Sequence, residues 1–196
     1  MSYDNRRLEV TEAAWRVIVR EGLDRASMRA IAQELGSSTG VVTHYFRDKD
    51  ELMLLALERV FEKLLQDMET AAKGREGFDR LEQMILAALP TSVQGIPGWQ
   101  VWIAFLGYAI GRENLVQEHR KRYDSLCHLI SQELAKLQAI GLIRAGLDLT
   151  QESNALIALV DGIGTGVVIN PEKFSAEHQQ YLVHRYLSTV LAKQEL

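Results

Sequence analysis

The sequence predicts an all-α protein: a small three-helix head followed by a larger helical body, about nine helices in all. Three observations predict it. Apolar residues recur at i, i+3, i+4 and i+7 along most of the chain, while strand-type alternation is scarce. Only three prolines interrupt the 196 residues. Turn signals stand at Gly22, Gly36, Gly74 and Gly77, in the stretch from Pro90 to Gly98, at Gly141 and Gly146, and at Asn170-Pro171, with segments of helical length between them.

Taken in order, the first helix is expected over residues 6–20. There Val10, Ala13, Ala14, Val17 and Ile18 make one apolar face. Gly22 ends it as a C′ residue. Ser27 is a good N-cap for a two-turn helix carrying Met28, Ile31, Ala32 and Leu35, which Gly36 ends. A second short helix is expected over about 39–46. Asp48 and Glu51 have capping-box spacing. They precede an apolar-rich helix that contains Leu52, Leu55, Val60, Phe61, Leu64, Leu65 and Met68 and runs to about residue 73. Further helices are expected near 78–89, 99–111, 113–139, 150–169 and 175–193. The predicted division is a head over 1–48 and a body over 49–196, joined by the helix that starts at Lys49.

Charge narrows the function classes. The formal net charge is −4, yet residues 1–50 hold eight Lys/Arg and eight Asp/Glu, so the acidic excess lies beyond them. This excludes a polybasic nucleic-acid coat. Any phosphate contact must come from a few well-placed cations. Cys127 is the only cysteine, which excludes a disulfide framework within one chain and suits a reducing cytoplasm. The opening MSYDNRRLEV has no apolar signal core. The longest apolar run, VWIAFLGYAI from Val101, is about half of the ~20 residues that span a bilayer, so no membrane partner is expected.

Two short helices joined by a glycine-containing turn outline a helix-turn-helix, in which the first helix braces the second and the second enters the major groove. Helix pairs that pack only for stability share this outline. The residues go further: SMRAIAQELGSSTGVVTHYFRDKDEL, from Ser27 to Leu52, resembles the signature of TetR-family regulators. It has the Ser/Thr cap, the Ile-Ala pair, the glycine turn, the short helix ending in an aromatic pair, and the Lys-Asp-Glu-Leu start of the next helix. The resemblance implies a homodimer on double-stranded DNA with an inverted-repeat operator, released by a small-molecule effector and needing no cofactor. It implies that Ser38, Thr39, Gly40, Val41, Thr43 and His44 begin or line the recognition helix. Thr39, Thr43 and His44 would hydrogen-bond to base edges or phosphate, and Val41 would meet a thymine methyl. Gly40 would let the backbone approach closely. Tyr45 and Lys49 match phosphate-clamping positions, and Lys49 sits in a helix first turn, where free N–H groups favour an anion. Ser27 and Arg29 are further phosphate candidates. Arg6 and Arg7 are either a short basic arm or solvated, and Val42 and Phe46 read as core. The chain departs from the family at Ser37, where a hydrophobic residue is usual, and at Thr43, where Tyr is common. Operator sequence therefore does not carry over.

In the body, WQVWIAFLGYAI from Trp99 and ALIALVDGIGTGVV from Ala155 are similar to the BetI-like, choline-responsive repressors. The residue after Leu-Val-Asp-Gly is often Trp in that branch; here Ile163 and Gly164 follow. Trp99, Trp102, Phe105 and Tyr108 are either an effector-pocket wall, able to hold a cation over a ring face, or core. Asp161 is either a ligand counter-charge or a helix-pair hydrogen-bond partner. Gly162, Gly164 and Gly166 lack dinucleotide-loop spacing and follow no strand, so close helix approach is the expectation. The last two helices are expected to form the dimer interface, with Ala155, Leu156, Leu159, Gly162, Gly166, Tyr181, His184, Leu187 and Leu191 as contacts. Neither His119 with His128 nor His178 with His184 has metal-ligand spacing. The run HRKRY from His119 reads as a solvated face and Cys127 as buried filler. No nucleophile–base pair stands out, so an enzyme is not expected. Two alternatives stay open: an activator with the same parts, and a ligand-binding or interaction protein whose neutral head no longer reads DNA.

Overall fold

The structure, a computed structural model, describes residues 3–191. Helices α1 (Tyr3–Glu21), α2 (Met28–Glu34), α3 (Thr39–Tyr45), α4 (Lys49–Ala72), α5 (Gly77–Ala87), α6 (Ile96–Ala109), α7 (Glu113–Ala139), α8 (Leu149–Ile169) and α9 (Ala176–Tyr186) follow one another. A 3₁₀ turn at Val93–Gly95 leads into α6, so that helix begins earlier than expected. The expected final helix widens to a π-helical turn over Leu187–Leu191, and its last two residues lie outside the described part.

Local chemistry sets these ends. Gly22 follows α1 with φ of +84°, the left-handed conformation that L side chains rarely adopt. Ser27 caps α2 by accepting from the Ala30 N–H at 3.2 Å. Asp48 accepts from the Glu51 N–H at 3.0 Å. The reciprocal bond of the capping box reaches one residue further back than usual, from the Arg47 N–H to Glu51 at 2.8 Å.

The chain forms two compact units. The first comprises residues up to Phe61 together with Gln100–His119; the second comprises Glu62–Trp99 and Arg120 onward. The division thus falls elsewhere than after residue 48. The reason is burial: Leu52, Met53, Ala56 and Leu57 of α4, Val101, Phe105 and Ala109 of α6, and Leu115 of α7 close the same core as Val10, Ala14, Val17, Ile31 and Val42. Glu34 of α2 accepts from Arg16 at 2.8 Å and from Arg20 at 2.6 Å, both on α1, and Arg59 of α4 pairs with Glu12.

In the second unit, Leu81, Ile85, Leu134, Leu156, Ile157, Ile163, Val183 and Leu191 share one core. Glu133 is buried beside it and meets Arg80 at 2.9 Å and Lys136 at 2.7 Å. Burial works to raise this carboxyl, but the bonds from Arg80 and Lys136 outweigh it and hold it below the usual carboxylate range. Helix α8, with 21 residues and a stretch of mean hydropathy 1.3, has the length and composition of a membrane span, although it contains no long unbroken apolar run. Its apolar character has another use here: Leu156, Ile157, Val160, Ile163 and Val167 face the unit's own core.

The α8 glycines differ from the expected helix–helix approach. A Cβ on Gly164 would strike the Trp99 ring, and one on Gly166 would strike Phe174; one on Gly162 would meet nothing. Aromatic side chains, not a neighbouring helix backbone, fill the space that two of these glycines leave.

Candidate functional site

Helix α3 is short because Ser38 starts it and Phe46 leaves it in extended conformation. It is anchored by Val42, which is buried, and by Phe46 just beyond its end. Thr39, Gly40, Thr43 and His44 are exposed, and Val41 and Tyr45 are half-buried. These polar residues lie away from the core because Val42, with the half-buried Val41 and Tyr45 beside it, takes the inward side. A Cβ on Gly40 would meet only the Ser38 hydroxyl, at 3.6 Å. Among the described residues, nothing packs closely enough to demand glycine there. The Thr43 hydroxyl donates to the Gly40 carbonyl at 3.3 Å, and the His44 and Tyr45 rings meet edge-on at 5.0 Å.

Beside α3 lies a shallow cleft of about 460 Å³ lined by Arg6, Ser38, Gly40, Val41, His44 and Tyr45. Arg6, from the first turns of α1, pairs with Glu9 at 2.5 Å. Arg29 is exposed in the first turn of α2, next to the Ser27 cap. Lys49 is half-buried: its ammonium donates to the Asp24 carbonyl at 3.1 Å and lies 5.4 Å from the Tyr108 ring centre. Every candidate nucleic-acid contact from the sequence is therefore carried by the first unit.

The four aromatic candidates do not form one group in one unit. The unit boundary divides α6 after Trp99. Phe105 is fully buried core, which corrects it from a pocket wall, and Tyr108 is half-buried with its hydroxyl on Asp50 at 2.9 Å. Trp102 stacks on His119 at 5.1 Å. Trp99 donates its indole N–H to the Ala88 carbonyl at 3.1 Å and lays its ring on Gly164. Asp161, one turn before Gly164 on α8, is half-buried. Burial first, and then the Asp161 charge, push the Tyr123 hydroxyl up. Cys127 is half-buried, its thiol 3.6 Å from the Asn154 side chain.

The interface candidates also separate. Leu156, Leu187 and Leu191 are buried in the second unit's own core, because their helical spacing aligns them with Ile163 and Val183. They are corrected from contacts to core. Ala155, Leu159 and Gly166 are half-buried, while Gly162, Tyr181 and His184 are exposed. The exposed stripe of α8 also includes Ala158, Thr165 and Ile169.

Asp50, Asn114, His119 and Tyr123 carry more of the local chemistry than their sequence context signals. Asp50 reads as a helix-start acid, and His119 and Tyr123 sit in the run HRKRY. That run is amphipathic: His119, Arg122 and Tyr123 are half-buried, while Arg120 and Lys121 are exposed.

Residues 10–56 match the family described as bacterial regulatory proteins, tetR family, and residues 78–192 match the BetI-type transcriptional repressor C-terminal domain. The chain belongs to the TetR family, with a BetI-type C-terminal domain. The HTH-type transcriptional regulator PksA of Bacillus subtilis is 28% identical over 191 residues, covering 97% of this chain and 92% of that protein. The regulator BetI 2 of Chromohalobacter salexigens is 28% identical over 198 residues, covering 95% and 88%. Among solved structures, a transcriptional regulator from Saccharomonospora viridis in complex with choline superposes with a TM-score of 0.87 at 23% identity, covering 97% of this chain and 100% of that one. This TetR-family chain is thus a DNA-binding transcriptional regulator, and its family is one of regulators rather than enzymes.

Proposed function

We propose that this regulator is a cytoplasmic repressor that holds an inverted-repeat operator as a homodimer and releases it when a small cation occupies the second unit. The observation that carries this reading is the outward face of α3, where Thr39, Gly40, Thr43 and His44 are exposed while Val42 is buried. Two such helices, one per protomer, fit successive major grooves when about 34–36 Å apart. Thr39, Thr43 and His44 read base edges, and Val41 meets a thymine methyl. Tyr45, Lys49, Ser27 and Arg29 hold phosphates, with Arg6 flanking the cleft. The second copy docks on the exposed stripe of α8 with Gly162, and on Tyr181 and His184 of α9.

The effector reading rests on Trp99, Tyr123 and Asp161 of the second unit. A ring covers Gly164, a carboxylate stands one turn away, and that carboxylate acts on a second ring. Ring faces and a carboxylate suit a quaternary ammonium ion, and the choline-bound structural neighbour points to the same ligand class. Ligand releases DNA only if it binds the non-DNA conformation more tightly, with coupling of about 1–3 kcal/mol. The shift would pass along α4, which has residues in both units.

Selection of bound duplexes from a random pool tests the operator. One enriched inverted repeat is expected, and Thr43→Ala should relax preference at one or two base pairs by about 1–3 kcal/mol. Equal loss across all base-pair variants would remove Thr43 from base reading. Choline should release the duplex and Asp161→Asn should abolish that release. Equal release by an uncharged isostere would overturn the cation reading.

A further inference from the structure

The first unit contains a polar cluster that neither the outward face of α3 nor the apolar core uses. Asp50 is the second residue of α4. The Tyr108 hydroxyl donates to one of its carboxylate oxygens at 2.9 Å, and the Asn114 amide donates to the other at 3.1 Å. Both oxygens are thus held by the corner where α6 ends and α7 begins. The Tyr108 ring carries two cations: the Arg112 guanidinium at 3.9 Å and the Lys49 ammonium at 5.4 Å from its centre. Arg112 also donates to the Tyr108 carbonyl at 2.5 Å. Burial first, and then the Asp50 partner, push the Tyr108 hydroxyl up, so it stays a donor at neutral pH.

We infer that Asp50 and Tyr108 are positioning residues for DNA binding: they fix the α6–α7 corner to the first turn of α4 and hold the Lys49 ammonium where it meets a phosphate. The inference rests on the reading of Lys49 as a phosphate contact. A lysine charge sits on a flexible four-carbon stem and loses much rotamer freedom when it binds. A ring face and a backbone carbonyl order that stem beforehand. Asp50 alone would repel a phosphate held by its neighbour. Two donors to its oxygens and two nearby cations offset that charge. Asn114 is exposed and Asp50 only half-buried, and polar contacts of this kind at a surface add little to stability. Stability therefore does not account for so complete a set of partners.

The test is duplex affinity against salt for the full-length protein, using the selected operator, with melting temperatures recorded in parallel. Tyr108→Phe keeps the ring and removes one bond; Asp50→Ala removes both; Asp50→Asn keeps one acceptor. The expected losses are about 3-fold for Tyr108→Phe and Asp50→Asn and about 10-fold for Asp50→Ala, the range that 1.4 kcal/mol per decade assigns to one or two modest bonds. For Tyr108→Phe, which changes no charge and removes no phosphate contact, the salt slope should stay unchanged. Tyr108→Phe should have no further effect in the Asp50→Ala background. Unchanged or tighter binding by the single variants, or strictly additive losses, overturns the inference even if the melting temperatures fall. Lys49→Ala separates the two readings: it should lower the salt slope by about 0.9. A normal slope for Lys49→Ala sinks the phosphate reading and the inference with it. A lowered slope alongside unaffected Asp50 and Tyr108 variants sinks only the inference.

Discussion

Helix α3 buries one of its seven residues, whereas α8 buries seven of twenty-one. The first is anchored by Val42 and by Phe46 just beyond its end, and leaves most of its polar side chains exposed. The second spends one face on its own core and leaves Ala158, Gly162, Thr165 and Ile169 as an exposed stripe on another. What separates them is where specificity lies. On α3, under the proposed reading, it would lie in the exposed side chains, which sequence reports directly. On α8 it lies in which distant residue fills each gap, which sequence reports hardly at all.

The sharpest way to break this comparison is at the α8 glycines. Gly164→Val would drive a side chain into the Trp99 ring, whose indole is tied to Ala88. Overpacking of this kind costs about 3 kcal/mol, or a melting temperature lower by about 8 °C for a chain of this size. Thermal melts followed by tryptophan fluorescence would register both the drop and a more solvated indole. A melt within 2 °C of the parent protein would mean that Trp99 swings aside freely.

Gly162 is the matched control two residues away. Its absent Cβ meets nothing, so Gly162→Glu should leave the fold of one chain intact. If α8 docks on a second copy, the same change buries a charge there and should raise the dimer dissociation constant about 100-fold, which is ~2.7 kcal/mol. Sedimentation at micromolar concentration would find monomers with a normal melt at low concentration. A dimer of unchanged affinity would move the interface away from this stripe.

Most of the first unit's helices were legible because their signals are local. Ser27, Gly22, Asp48 and Glu51 each act within a few residues, and the α3 pattern is complete within one short run. What was not legible turns on tertiary contacts that no local pattern encodes. Tyr108 meets Asp50 58 residues away and Trp99 covers Gly164 65 positions on, so no window contains either pair. Leu156 and Leu187 carry the spacing of an apolar face, and spacing alone does not say whether that face meets the chain's own core or a second copy. Phe105 is apolar and aromatic whether it lines a pocket or fills a core; its full burial decides.

The dependence of α3 on its Val42 anchor can be measured as well. Val42→Ala removes two methyl groups from a fully buried site and should cost about 2 kcal/mol. Because no other residue of α3 is fully buried, the loss should fall on α3 first. Hydrogen exchange of the 39–45 amides should then accelerate more than that of the α8 amides. Uniform acceleration across both helices would mean that α3 opens only when the whole protein does.

The smallest expected effect is a pH dependence at His119, where the comparison moves from helices to one ring. His119 is half-buried against Trp102 at 5.1 Å and Phe105 at 6.5 Å, and burial pushes its imidazole below the ordinary histidine value. The unfolded chain, with an imidazole near ~6.5, therefore binds a proton before the folded one does. Stability should rise with pH wherever the unfolded state holds more protons. The His119 contribution is then intact above about pH 6.5 and is lost as pH falls from there toward the lower folded value. Other groups titrate over the same range, so the useful quantity is the difference between two slopes. Melting temperatures at pH 7.5 and 5.5 should fall less for His119→Gln than for the parent protein, since glutamine carries no proton to gain. Parallel slopes would mean that the folded protein accommodates the imidazolium against its aromatic neighbours as readily as water does.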